Sequence, residues 1–120
     1  MAIALWIVNA ILALVFVAVG VMKLARTREA LEASGMAWTA NASAGLVKAI
    51  GAVELLGGLG LILPLATGVA PVLTPLAAVG LALTMIGAIV LHVRRKESFV
   101  VPAVLLVVAA ASAILGFMIL

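Results

Sequence analysis

An all-α fold, an integral membrane four-helix bundle, is what this sequence predicts, and three observations carry the prediction. Of 120 residues, 68% are AVILMFWYC and 9% are DEKR, against about 45–50% apolar and about 25% charged in an average soluble domain. So little charge cannot clothe a chain this short in a water-facing shell, so the apolar excess must face lipid. Four stretches, at about 2–22, 46–66, 72–93 and 99–119, each approach the roughly 20 residues a helix needs to cross a hydrocarbon core. All seven basic residues fall in or beside two of the three connections. Residues 1–120 read as a single transmembrane domain.

The first span has no ionisable residue before Lys23. The start, Met1-Ala2-Ile3, offers neither a basic leader nor a small-residue cleavage site, so this span is expected to remain in the mature protein. The first connection, about 24–45, carries the one soluble-looking pattern. Thr27 can cap a short helix with Glu29 in its first turn, Arg28 and Glu32 can pair at i,i+4, and Gly35 can end it. Leu24, Leu31 and Met36 would then face the membrane, with Trp38 at headgroup depth, which describes a cytoplasmic interfacial helix between the first two spans.

Ser43 is placed to cap the second span. Pro64, Gly68 and Pro71 bound a short second connection, so the second and third spans form an antiparallel hairpin, with Pro75 tolerable in the first turn of the third. Ser98 can cap the fourth span, and Pro102 falls near that helix's first turn, where a missing N–H costs little.

Lys23, Arg26, Arg28 and Lys48 flank the first connection, and Arg94, Arg95 and Lys96 fill the third. This bias puts both connections in the cytoplasm and both termini outside, with the inner or cell membrane of a bacterium as the expected location. The basic balance therefore reports topology and contact with anionic headgroups, and no nucleic acid is expected as a partner. With no cysteine, dithiol redox chemistry and thiolate metal sites are excluded by inventory, and one histidine and no aspartate leave little for a metal cage or a catalytic triad. No metal and no covalent cofactor is expected, no catalytic residue is assigned, and the chain reads as no enzyme by itself.

The rare polar residues lie on stripes. Asn9, Ala13, Phe16, Gly20 and Lys23 share one face of the first span. Gly51, Glu54 and Gly58 share one face of the second. Ala77, Thr84, Ala88 and His92, with Gly80 and Gly87 on the same flank, mark the third, and Ala109, Ser112, Ala113 and Gly116 the fourth. Small residues let membrane helices approach closely, so these stripes are read as packing faces. Glu54 lies six residues inside Lys48, about 9 Å along the axis. An acidic group there costs roughly 2.5–3.5 kcal/mol unless it is neutralised or matched. The expected arrangement is a cluster of Glu54, Lys23 and His92 below the cytoplasmic headgroups, with Thr84 as a further donor. It serves either as a clasp between helices or as a ligand or proton site.

Phe16, Gly20, Lys23 and Leu24, then Gly51, Glu54, Gly57, Gly58, Gly60, Leu61 and Pro64, then Ala70-Pro71 through Pro75, Gly80, Leu81, Met85, Gly87, Ala88 and His92 resemble the DoxX-like membrane proteins over nearly the whole chain. The resemblance implies a bundle arranged like vitamin K epoxide reductase, and family members are associated with quinone-linked oxidation, membrane redox complexes or receptor assembly. The epoxide reductase chemistry needs paired cysteines, so it does not transfer. Three functions compete. The first is an accessory module holding a quinone-like or other amphipathic small molecule for a membrane oxidoreductase subunit, its tail against Phe16, Met85 and Leu55. The second is a structural or assembly factor for another membrane protein. The third, a proton-coupled transporter of the small multidrug type, fits least, because the acid lies in the second span and the charge bias is complete. Homo-oligomers through an unused glycine face are compatible with the pattern.

Overall fold

The computed structural model describes residues 2–119; Met1 and Leu120, the ends of the expected domain, lie outside the described residues. In chain order the elements are α1 (Ala2–Ala25), α2 (Arg28–Ala33), a 3-10 turn (Ala37–Asn41), α3 (Ala44–Gly60), α4 (Leu63–Thr67), α5 (Leu73–Arg94) and α6 (Val100–Ile119). Four segments, Ala2–Ala25, Ala44–Thr67, Leu73–Arg94 and Val100–Ile119, are long and apolar enough to cross a membrane. Large apolar side chains such as Ile3, Leu14, Leu56, Leu83 and Val107 stay exposed on the outer surface, which suits a bundle whose solvent is hydrocarbon.

The spans close a ring: α1 on α3, α3 on α5, α5 on α6, and α6 back on α1, with α1/α3 and α5/α6 the most extensive pairings. Glycine explains how closely α1 and α3 approach. A Cβ on Gly20 would lie 2.7 Å from Gly51 O and Leu55 N, and one on Gly58 would lie 2.8 Å from Val17 Cγ2. Backbone meets backbone there, as small-residue packing in lipid requires. The core is Leu12, Ala13, Phe16, Leu61, Ala78, Leu81, Met85, Ala109 and Ala113.

Near its end the second span breaks between α3 and α4. Pro64 has no N–H to offer the Gly60 carbonyl, and the Thr74 hydroxyl donates to that carbonyl instead at 3.0 Å. Next to it, the Asn9 side-chain amide donates to Leu61 O at 2.9 Å, and the Ser112 hydroxyl donates to Asn9 Oδ1. Asn9, Thr74 and Ser112 are fully buried. Polar side chains from α1 and α5 thus satisfy the carbonyls at the break, and Ser112 of α6 joins them through Asn9, tying this end of the bundle together.

The polar stripes expected for α1, α3 and α6 are buried as read. The third span differs: its inward face is Thr74, Pro75, Ala78, Leu81 and Met85, while a Cβ on Gly80 or Gly87 meets open space. Thr84 and His92 are therefore half-buried rather than central. In the first connection Thr27 Oγ1 accepts from Ala30 N at 3.2 Å and caps α2, and Gly35, at φ 109°, takes the left-handed conformation just past it. Arg28 does not pair with Glu32; its guanidinium donates to Ala42 O at 2.8 Å. Leu31 is fully buried in the chain instead of facing lipid, and Thr39 beneath it is buried too, donating to Met36 O at 2.8 Å. Within the connection α2 packs on the 3-10 turn, and Leu24 and Met36 are half-buried.

Candidate functional site

The α1/α3 crossing places the ionisable pair. A Cβ on Gly51 would lie 2.7 Å from Lys23 Cβ, so the missing side chain is what seats the Lys23 stem against α3. From there the chain turns inward by one turn to Glu54. The Lys23 ammonium donates to Glu54 Oε1 at 2.5 Å, with Lys23 7% and Glu54 2% exposed. A lysine at a span end ordinarily reaches outward to the headgroups; this one reaches into the bundle. A third contact comes from the first connection, where the Trp38 ring centroid lies 5.4 Å from Lys23 Nζ, within cation–π range. Trp38 therefore covers a buried cation from the side of the connection.

The pair borders a cavity of about 680 Å³, a size suited to a small organic ligand. Phe16, Val15, Val19 and Lys23 of α1 line it, with Met36 and Trp38 of the connection, Ile50 and Glu54 of α3, Thr84, Met85, Gly87, Ala88, Leu91 and His92 of α5, and Ser98, Pro102 and Leu105 around the start of α6. All four spans contribute, and the lining is apolar apart from a few polar groups toward the basic end. Phe16 and Met85 stand where a ligand tail was expected. Leu55 does not; its backbone belongs to the Gly20 crossing.

Lys23, Glu54, His92 and Thr84 all border this one cavity, but only the first two touch. The Thr84 hydroxyl donates to Gly80 O of its own helix at 2.9 Å. Among the described residues no hydrogen bond or ion pair joins His92 to Glu54 or Lys23. His92 Nδ1 is buried without a hydrogen-bond partner, 3.8 Å from Glu97 Oε2. The α5 C-terminus sets that geometry: Glu97 N donates to His92 O at 2.9 Å and Lys96 N to Val93 O at 3.1 Å, with Lys96 at φ 57°. These two bonds form a Schellman cap that folds Glu97 back beside His92, and Arg95 pairs with the same carboxylate.

Electrostatically the site is a self-neutralised ion pair with capacity to spare. The ammonium has three donors, only one of which meets Glu54 Oε1, and Glu54 Oε2 and His92 Nδ1 have no hydrogen-bond partner among the described residues. Such a set can grip a neutral head that both accepts and donates hydrogen bonds. An ionised head would have to displace one member of the pair. Among the described residues no group of three or more His, Cys, Asp and Glu is arranged to hold a metal ion. Trp38 and Ser98 were not foreseen as part of the site; the cation–π partner of Lys23 depends on how the connection folds, which local spacing does not encode.

A family model described as DoxX-like matches residues 7–113. No curated protein and no solved structure matches the chain.

Proposed function

The chain belongs to the DoxX-like family, and from that premise we propose that this multi-pass membrane protein is an accessory module that holds a neutral, quinone-like amphipathic molecule between its helices. The observation that carries the reading is a buried Lys23–Glu54 pair, with unused donors and an unused acceptor, on the wall of a 680 Å³ apolar cavity. The ligand's carbonyl or hydroxyl head meets Lys23, Glu54 and His92, and its tail lies along Phe16 and Met85. With no cysteine in the sequence, any redox step draws its electrons from a membrane oxidoreductase partner. A helix arrangement like that of vitamin K epoxide reductase belongs to the same proposal, without the thiol chemistry. So does the orientation, with the basic end in the cytoplasm and both termini outside the cell membrane.

The competing reading, an assembly factor in which Lys23–Glu54 only clasps α1 to α3, is favoured by the glycine crossing beside the pair. One experiment separates them. The protein and its Glu54→Gln variant are purified from membranes in mild detergent, and bound small molecules are extracted and identified by mass spectrometry. A stoichiometric neutral amphiphile, lost in a well-folded variant, is expected. No enriched molecule in either sample leaves the clasp.

A further inference from the structure

Beside the cavity, the same end of the bundle carries a second concave site of about 330 Å³, where the end of α1, the start of α2 and the start of α3 meet. Arg26, Arg28 and Lys48 line it, with Lys23 at its back and the apolar Ala44 and Val47 as floor. Among the described residues the pairing of charges is uneven. Lys23 is matched by Glu54 and Arg95 by Glu97, whereas Arg26, Arg28 and Lys48 form no ion pair. Arg94 and Lys96 are also unpaired, but they line neither cavity. One carboxylate, Glu29, shares the cleft, so three cations stand against one anion. Arg28 is held in place by its bond to Ala42 O.

We propose that this cleft is a binding site for a phosphate group, that of an anionic phospholipid headgroup. Its place at the ends of the spans puts it at headgroup depth, and basic pockets between transmembrane helices are a recurring seat for such lipids. Guanidinium groups match phosphate oxygens in a planar fork, and Lys48 adds a point charge. The acyl chains would run down the outer apolar faces of α1 and α3. Lys23 separates this cleft from the cavity, so the two sites share one wall and hold different chemistry: a charged head outside and a neutral head inside. The lipid site does not depend on the cavity being occupied.

The test uses the full chain in detergent, titrated with dioleoylphosphatidylglycerol or dioleoylphosphatidylcholine, with retained lipid counted by native mass spectrometry. The variants are Arg26→Gln/Lys48→Gln and, with the same loss of charge outside the cleft, Arg94→Gln/Lys96→Gln. Circular dichroism checks that each is folded. Wild type is expected to prefer phosphatidylglycerol. The cleft variant should weaken that binding roughly ten- to thirtyfold, from about 1 kcal/mol per basic residue near a charged headgroup, while the control stays within about twofold of wild type. Inorganic phosphate bound by wild type and not by the cleft variant, with no phosphatidylglycerol retained, overturns the lipid as the source of the phosphate group. An equal fall in both variants, or no preference over phosphatidylcholine, overturns the proposal.

Discussion

The two ends of the bundle treat buried polar groups in opposite ways. At the end near the helix break, every buried polar side chain has a hydrogen-bond partner: the Asn9 amide on Leu61 O, the Ser112 hydroxyl on Asn9, and the Thr74 hydroxyl on Gly60 O. At the basic end Lys23, Glu54 and His92 keep donors and acceptors in reserve around a cavity. In hydrocarbon an unmet hydrogen-bonding group has no water to turn to. A satisfied network is explained by the fold it holds, whereas a network with reserve calls for something further to bind. That contrast, more than the presence of a buried acid, locates the candidate site.

Removing one partner of the ion pair gives the largest expected effect. Lys23→Ala leaves Glu54 unmatched and should cost about 3–5 kcal/mol of stability, whereas Lys23→Leu/Glu54→Leu should fall within about 1–2 kcal/mol of wild type, since an apolar pair can replace a buried ionic one. Thermal unfolding in detergent separates the two; a double variant as unstable as the single would make the pair a structural necessity and erase the contrast. Next comes the crossing: Gly20→Ala drives a Cβ into Gly51 O and Leu55 N and should cost about 1–3 kcal/mol, readable in the same assay. An unchanged melting temperature would mean that α1 and α3 can part freely.

At the closed end, Asn9→Leu removes one bond to a backbone carbonyl and one to Ser112. Double-mutant values for membrane hydrogen bonds suggest about 0.6–1.7 kcal/mol. The smallest effect has the opposite sign. Ala70 and Lys96 sit at φ 47° and 57°, a left-handed conformation costing roughly 1–2 kcal/mol for a residue with a Cβ, about half of which is offset by the roughly 0.5–1 kcal/mol that glycine loses in chain entropy, so Ala70→Gly should raise the melting temperature slightly. Lys96→Gly should do the same while keeping the cap that holds Glu97 beside His92.

Much of this was legible in the sequence wherever polarity marked a face. Asn9, Gly20 and Lys23 on α1, Gly51 and Glu54 on α3, and Ser112 on α6 had to turn inward, because lipid rejects polar groups and small residues permit close approach. The third span was legible only in part, for a related reason: Ala77 and Ala88 pack against the core as the stripe predicted, while the rest of its inward face was not marked. Leu81 lies inside and Leu83 outside, yet in an apolar solvent the two are chemically alike, and Gly80 and Gly87 suggested a packing face that is open. Trp38 and Leu31 escaped because their partners lie on other elements. The pairing of Lys23 with Glu54 was visible from depth and charge; the separation of His92 from them depends on the cap at Lys96 and Glu97.

The measurement that tests the central claim most directly compares bound amphiphile in wild type, Lys23→Leu/Glu54→Leu and Asn9→Leu, each purified under the same conditions and quantified by extraction and mass spectrometry. The account predicts that the double variant folds but loses the ligand, while Asn9→Leu unfolds more easily yet retains it. Ligand kept by a folded double variant, or lost equally from both, would contradict the division between a structural end and a binding end.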